Sequence, residues 1–311
     1  TSSVQLATHV LNASAPETIG LDASNDLFVG GYNHPGHLYE FKPPYASTPS
    51  VTNSTGIADP YGMTIDSNGA VYSANTAGPP GSVSIFNSPY TAAPTVISSG
   101  ADFPFATALD ASKNLYVANN GNSTVTIYPP PYDTASPVSV TTASPPYSIL
   151  VLGSRLYVGE ATAIEVFDLS VPLTHSSLPV ATVTNGISYV YAMAFDASGN
   201  LFASNLLGGI SAHYGTITKY TAPVTSGEAP SITLTQTKTG ASTYSPWGIA
   251  FDAAGNLYVD NTTGGSNAGG IVEYLAPITA ASTPAISLAT TQFSTPNNLA
   301  ITKGNVLTIV P

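Results

Sequence analysis

Five aromatic residues stand near the start of a recurring motif: Tyr61, Phe105, Tyr147, Tyr191 and Trp247. Rings gathered around an opening can stack on sugars or other flat ligands. The same rings packed between repeats would instead be core, where most large aromatics reside. A second set, Asn75, Asn119, Glu160, Asn205 and Asn261, recurs about fifteen residues further along each motif. These side chains either meet ligand hydroxyls or cap the backbone of their own loops. Asp22, Asp66, Asp110, Asp196 and Asp252 each precede a short polar turn and read as turn acceptors, not acid catalysts. "NHPGH" places His34 and His37 three apart, and His213 lies in a long loop. Two such imidazoles can share a metal, but no carboxylate stands at metal-site spacing and there is no His-Glu-x-x-His. They read as solvated loop histidines, the only weak metal candidates. With no Gly-x-Ser-x-Gly elbow, no phosphate-binding glycine loop and no cysteine, no catalytic residue and no cofactor is assigned.

Composition narrows the partners. Asp, Glu, Lys and Arg make up only 7% of 311 residues, and the formal net charge is −11. Six cations are too few to neutralise a nucleic-acid backbone or to dock on an anionic membrane. No apolar run approaches the roughly twenty residues of a membrane helix. The opening residues "TSSVQLATHV" resemble a mature start after signal removal, which places the chain outside the cytoplasm. Low charge with 18 tyrosines implies weak repulsion between copies, or adaptation to an acidic exterior. Sequons occur at Asn12, Asn53, Asn122 and Asn261.

The elements that must position these residues follow from the repeat. "PYGMTIDSNGAVYSAN" begins at Pro60, "PFATALDASKNLYVAN" at Pro104 and "PWGIAFDAAGNLYVDN" at Pro246, with related segments at Pro16, Pro145, Val190 and Pro296. Each reads as an apolar strand, a tight turn and a second strand. A third alternating strand follows ("SVSIF", "TVTIY", "TITKY"), then a Pro-rich turn and a polar fourth strand. A period in the forties with four short strands per unit predicts a β-propeller. Seven copies predict seven blades, mostly four-stranded and antiparallel, in one domain: 16–58, 60–102, 104–143, 145–188, 190–244, 246–294, and 296–311 joined by 1–12.

These motifs resemble NHL-type repeats of secreted bacterial proteins, in the broad group that includes virginiamycin B lyase-like propellers. The resemblance spans nearly the whole chain. It implies a propeller fold, and for the lyases of that group a His base with a carboxylate-held divalent metal on the channel face. Here the equivalent loop ends are mostly Asn, and only Glu160 is acidic.

The last copy, "PNNLAITKGNVLTIVP", supplies two strands only. The N-terminal segment has the spacing of a fourth strand and is expected to close the ring. That leaves either a three-stranded blade or an edge that accepts a strand from another copy, with Val4, Leu6, Val306, Thr308 and Val310 at the contact. The residues favour an extracellular structural or interaction propeller. It would be non-catalytic and self-associating into a surface assembly or filament, with other copies of itself, and a glycan or cell-surface partner, as ligands. The alternative is a propeller lyase or hydrolase on a sugar or lactone, or a carbohydrate-binding module using the aromatic mouth.

Overall fold

The computed structural model of the chain describes residues 15–32, 35–46, 48–78, 80–132, 137–207, 215–235, 245–262, 270–289, 298–301 and 307–310. Six four-stranded antiparallel sheets follow one another, over residues 15–53, 60–97, 104–141, 146–183, 190–235 and 245–289. In each the strands lie side by side in chain order. A separate two-stranded sheet pairs Asn298–Ile301 with Leu307–Val310.

Among the described residues the protein is therefore an all-β propeller of six four-stranded blades, and the expected seventh blade is corrected. The seventh motif copy encodes a first and a second strand, and the described residues there form those two strands. Counting motif copies overcounts blades, because a blade also needs a third and a fourth strand. Residues 1–12, with Val4, Leu6 and Val306, lie outside the described residues, while Thr308 and Val310 are on the second strand of the small sheet. The first strands of successive blades pack against one another, and Asn298–Ile301 packs against the first strands of both blade 6 and blade 1.

Alternation along each strand sends apolar side chains into the gaps between neighbouring sheets. Tyr157, Val166 and Val183 of blade 4 meet Met193, Leu201 and Tyr220 of blade 5. Tyr116 and Val125 of blade 3 meet Leu156 and Phe167 of blade 4. Blades 2 to 5 are thus each half of two cores, one shared with the blade on either side.

The recurring aspartates behave as read. The Oδ1 atoms of Asp66, Asp110, Asp196 and Asp252 each accept the backbone N–H groups two and four residues on, at 2.8–2.9 Å. The turn needs a left-handed residue three after the Asp. Glycine supplies it at Gly69, Gly199 and Gly255, while Asn25 and Lys113 adopt it at φ 64° and 62°. In blade 4 the sequence pattern sets Val151 at the Asp position, whereas the structure sets Leu152 there. Leu152 pairs with Arg155 across a turn one residue shorter, so the whole first strand shifts by one. The Pro-rich turns between third and fourth strands hold cis peptide bonds before Pro44, Pro89, Pro131, Pro223 and Pro277. Tyr45, Tyr90 and Tyr132 follow three of these prolines and donate their hydroxyls to the carbonyls of Asn25, Gly69 and Lys113, each at 2.8 Å.

Candidate ligand-binding mouth

Each first strand begins with an irregularity in its pairing. Pro60 pairs with Asn75 and Gly62 with Ala74, leaving Tyr61 as an extra residue. The same skip falls on Glu17, Phe105, Tyr147 and Tyr191, and in blade 6 on Trp247 with Gly248. Proline tolerates the start of such a strand because its missing N–H costs little there. A bulge re-aims the side chain it carries, so one residue per blade leaves the alternation and turns towards the axis. The one-residue shift in blade 4 makes Tyr147, not Pro146, the equivalent of Tyr61.

The re-aimed rings meet. Ring centroids are 4.4 Å apart for Tyr61 and Phe105, 5.4 Å for Phe105 and Tyr147, 4.8 Å for Tyr147 and Tyr191, and 4.1 Å for Tyr191 and Trp247. All five are half-buried. Two further rings join from the linkers just ahead of the first strands. Phe103 packs on Phe105 and Tyr189 on Tyr147, both at 5.7 Å. They are 45% and 38% exposed, and form the outer tier of the cluster. Both hold φ near +53°, uncommon for bulky residues. Backbone bonds from both sides keep them there: Phe103 N–H to Pro80 O at 2.7 Å and Asn120 N–H to Phe103 O at 3.1 Å, and Tyr189 N–H to Ala161 O at 2.8 Å and Leu206 N–H to Tyr189 O at 3.1 Å. Neither was singled out from the sequence. Their signal, an aromatic just before the strand-opening Pro or Val, occurs in only two repeats and so falls below the repeat pattern.

Three phenols of this cluster differ from most others. Tyr128 and Tyr220 donate to Ser99 O at 2.7 Å and Asn185 O at 2.6 Å, and Tyr116 and Tyr258 to the carboxylates of Asp110 and Glu273. The hydroxyls of Tyr147, Tyr189 and Tyr191 have no hydrogen-bond partner among the described residues. Burial, and then the neighbouring phenols of Tyr147, Tyr61 and Tyr189, push the Tyr191 hydroxyl well above its ordinary pKa. Its proton stays on at any physiological pH, so it remains a donor.

The asparagines take a different place. Asn75, Asn119 and Asn205 are at most 1% exposed. The Asn119 and Asn205 amide oxygens accept linker N–H groups, of Asp102 at 3.1 Å and Ser188 at 3.0 Å. The amide nitrogens of the three donate to Ser84, Thr126 and Thr218 on their own third strands at 2.8–3.0 Å. Each ties the incoming linker to its blade. Asn261 is equally buried.

Blade 4 makes the same tie with carboxyls. Glu160 replaces Asn, and its Oε2 accepts from Ser144 N–H at 2.7 Å and Ser144 Oγ–H at 3.0 Å. Glu165 replaces the Ser or Thr partner. Burial, then the charge of Glu165 and a hydrogen bond to it, raise the Glu160 pKa far above the carboxylate range. The buried Glu160 Oε1 finds no donor among the described residues, and a proton held there would be donated to Glu165 as an asparagine amide donates to its partner. In blade 6, Asp260 lies fully buried opposite the bulge, where it accepts the N–H groups of Trp247 and Gly248. Burial also raises its pKa well above the ordinary value.

His37 lies half-buried on the third strand of blade 1, stacked on Tyr39 at 5.5 Å, while His34 and His213 fall outside the described residues. Among the described residues no three His, Asp or Glu side chains gather as a metal site would require. Of the sequons, Asn53 and Asn261 are buried and Asn122 is exposed.

No family model matches the sequence, and no curated protein does. Solved structures do match in fold. A streptogramin B lyase aligns with a TM-score of 0.68 at 12% identity, over 96% of this chain and 90% of that one. The WD40 repeats of RRP9 align at 0.71 and 8%, over 94% and 85%. The hydrazine synthase of Kuenenia stuttgartiensis aligns at 0.67 and 15%, over 82% and 74%. At these identities the likeness establishes the propeller fold, and membership of the NHL group is not shown.

Proposed function

We propose that this chain is a non-catalytic binding propeller that works outside the cytoplasm, with the aromatic mouth as its ligand site. The observation that carries the reading is the unengaged phenols of Tyr147, Tyr189 and Tyr191 within a continuous cluster of half-exposed rings. Deeply buried hydroxyls have protein partners, as those of Tyr128 and Tyr220 do. Flat apolar faces beside free donors suit a ligand with one apolar face and polar edges. The sparse charge supports an exterior setting, because a surface poor in carboxylates loses little where the medium is acidic.

Trp247, the single tryptophan, reports on this site directly. Its emission is expected to shift on titration with a neutral oligosaccharide or with a proline- and aromatic-rich peptide. Phe105→Ala, which removes a ring one neighbour beyond Tyr147, should weaken that response at least tenfold. A flat emission trace with both probe classes overturns the reading.

One surface favours self-association as a second property. Val171, Leu178 and Val180 are 62%, 81% and 54% exposed on the long connection between the third and fourth strands of blade 4. Clustered exposed apolar side chains mark interaction surfaces. Sedimentation velocity should show a concentration-dependent species that Leu178→Ser removes. A single monomer boundary at millimolar concentration counts against it.

A further inference from the structure

The mouth is uneven around its rim, and the unevenness selects a ligand. The position two residues ahead of each bulge holds Phe103 in blade 3, Pro145 in blade 4 and Tyr189 in blade 5. Exposed rings on blades 3 and 5 therefore stand on either side of the blade 4 sector, whose own outer position is a proline. The floor of that sector is Phe105 and Tyr147, and Tyr189 leans onto Tyr147 at 5.7 Å. A polar edge is supplied by the exposed Thr162, whose hydroxyl meets that of Ser144 at 3.0 Å.

Charge narrows the choice further. The described cations are paired with carboxylates away from this rim: Lys42 with Glu40, Lys113 with Asp66, Arg155 with Asp168 and Lys219 with Asp196. Most of these pairs sit at the hairpin-turn end of the blades, opposite the bulges. The carboxyl beneath the sector, Glu160, is buried and hydrogen-bonded to Ser144. Nothing described at the rim would neutralise an anionic ligand, and Glu17 stands at the bulge of blade 1.

Resting on the binding function proposed above, we infer that the blade 4 sector is a subsite for a neutral pyranose residue of a glycan, held between Phe103 and Tyr189. A pyranose offers apolar C–H faces to the two rings and hydroxyls to the phenols and to Thr162. Because no ion pair contributes, binding should be insensitive to salt.

The test follows Trp247 emission and isothermal titration with cellohexaose, hexagalacturonate and a proline-rich peptide, in 50 mM and 500 mM salt. Cellohexaose is expected to bind equally at both salt concentrations, and hexagalacturonate not at all. Phe103→Ala and Tyr189→Ala, both at exposed positions, should each weaken cellohexaose about tenfold. Tyr189→Phe keeps the ring and should retain most of the affinity. Circular dichroism melts of each variant would separate lost binding from lost fold. Tighter binding of hexagalacturonate, or cellohexaose binding unchanged in both alanine variants, overturns the subsite. If only the peptide binds, the mouth remains the ligand site and the glycan assignment fails; if no probe binds, both fail.

Discussion

On lowering the pH from 7 to 5 the wild-type chain is expected to melt at a higher temperature, and Glu160→Gln to lose most of that gain. The sign follows from the direction of the shift. Burial and Glu165 raise the folded pKa of Glu160 above its unfolded 4.5, so between those values the folded state holds a proton that the unfolded chain has released. Folding is then favoured as pH falls, by about 1.4 kcal/mol per pH unit for one such group. Glutamine carries a permanent donor and acceptor, as Asn119 does in blade 3. Glu160→Gln should therefore match the wild type near pH 4.5 and exceed it at pH 7 and above. Asp260, raised by burial, contributes in the same direction. Asp66, Asp168 and Asp196 act oppositely, because lysine, arginine and backbone N–H partners hold their pKa values below 3.8. Their contribution is lost only as pH drops below about 4. Urea melts at pH 4, 5, 6, 7 and 8 should thus place maximum stability near pH 4–5. A wild-type chain whose stability rises from pH 5 to 7 would rule out the buried protonated carboxyl.

Gly62→Ala is expected to cost about 3 kcal/mol or more, far beyond the usual effect of adding one methyl group. A Cβ at Gly62 would stand 2.4 Å from Phe105 O and 2.7 Å from Ala106 Cα. Both are backbone atoms of the next blade's bulge, so no side-chain rotation relieves the clash and blades 2 and 3 must separate. That separation opens the 4.4 Å contact of Tyr61 with Phe105. The variant should melt several degrees lower, and the Trp247 response to ligand should weaken through the broken ring cluster. Gly62 is not among the positive-φ glycines, so the cost there is the clash itself, whereas Gly78→Ala, with φ +80° and nothing within 4 Å of its Cβ, isolates backbone strain. A loss at Gly62 below about 1 kcal/mol would remove close approach of the blades as the cause.

The turn chemistry was legible in the residues because it is local. An Asp accepting N–H groups two and four residues on needs nothing beyond its own loop, and "DAAGN" states it in full. The seven motif copies were equally plain. Their count misled because the last copy lacks the third and fourth strands that make a blade. The Val151 misalignment has the same origin, since a turn one residue shorter is visible only once Leu152 is seen to pair with Arg155.

The asparagine and aromatic positions show the complementary limit. Both recur at fixed points, and recurrence alone left each with two readings. Burial and partners separated them: Asn75, Asn119 and Asn205 tie linkers to third strands, while the aromatics ride on bulges and leave the strand alternation. The Glu160–Glu165 pair carried a sequence signal, since blade 4 departs from Asn and from Ser or Thr at both positions at once. That signal gains meaning only when Glu160 is buried and facing Glu165.

By itself the sequence determined that the chain is all β, the order of strands and turns within each repeat, and which residue of each repeat is aromatic, because alternation, proline and glycine act on immediate neighbours. Tertiary structure alone decided that the described residues form six four-stranded blades, that rings from five successive repeats touch, that Phe103 and Tyr189 pack on them, and which phenols lack partners among the described residues. These contacts join residues about one repeat apart. They exist only because packed sheets bring successive first strands together around one axis.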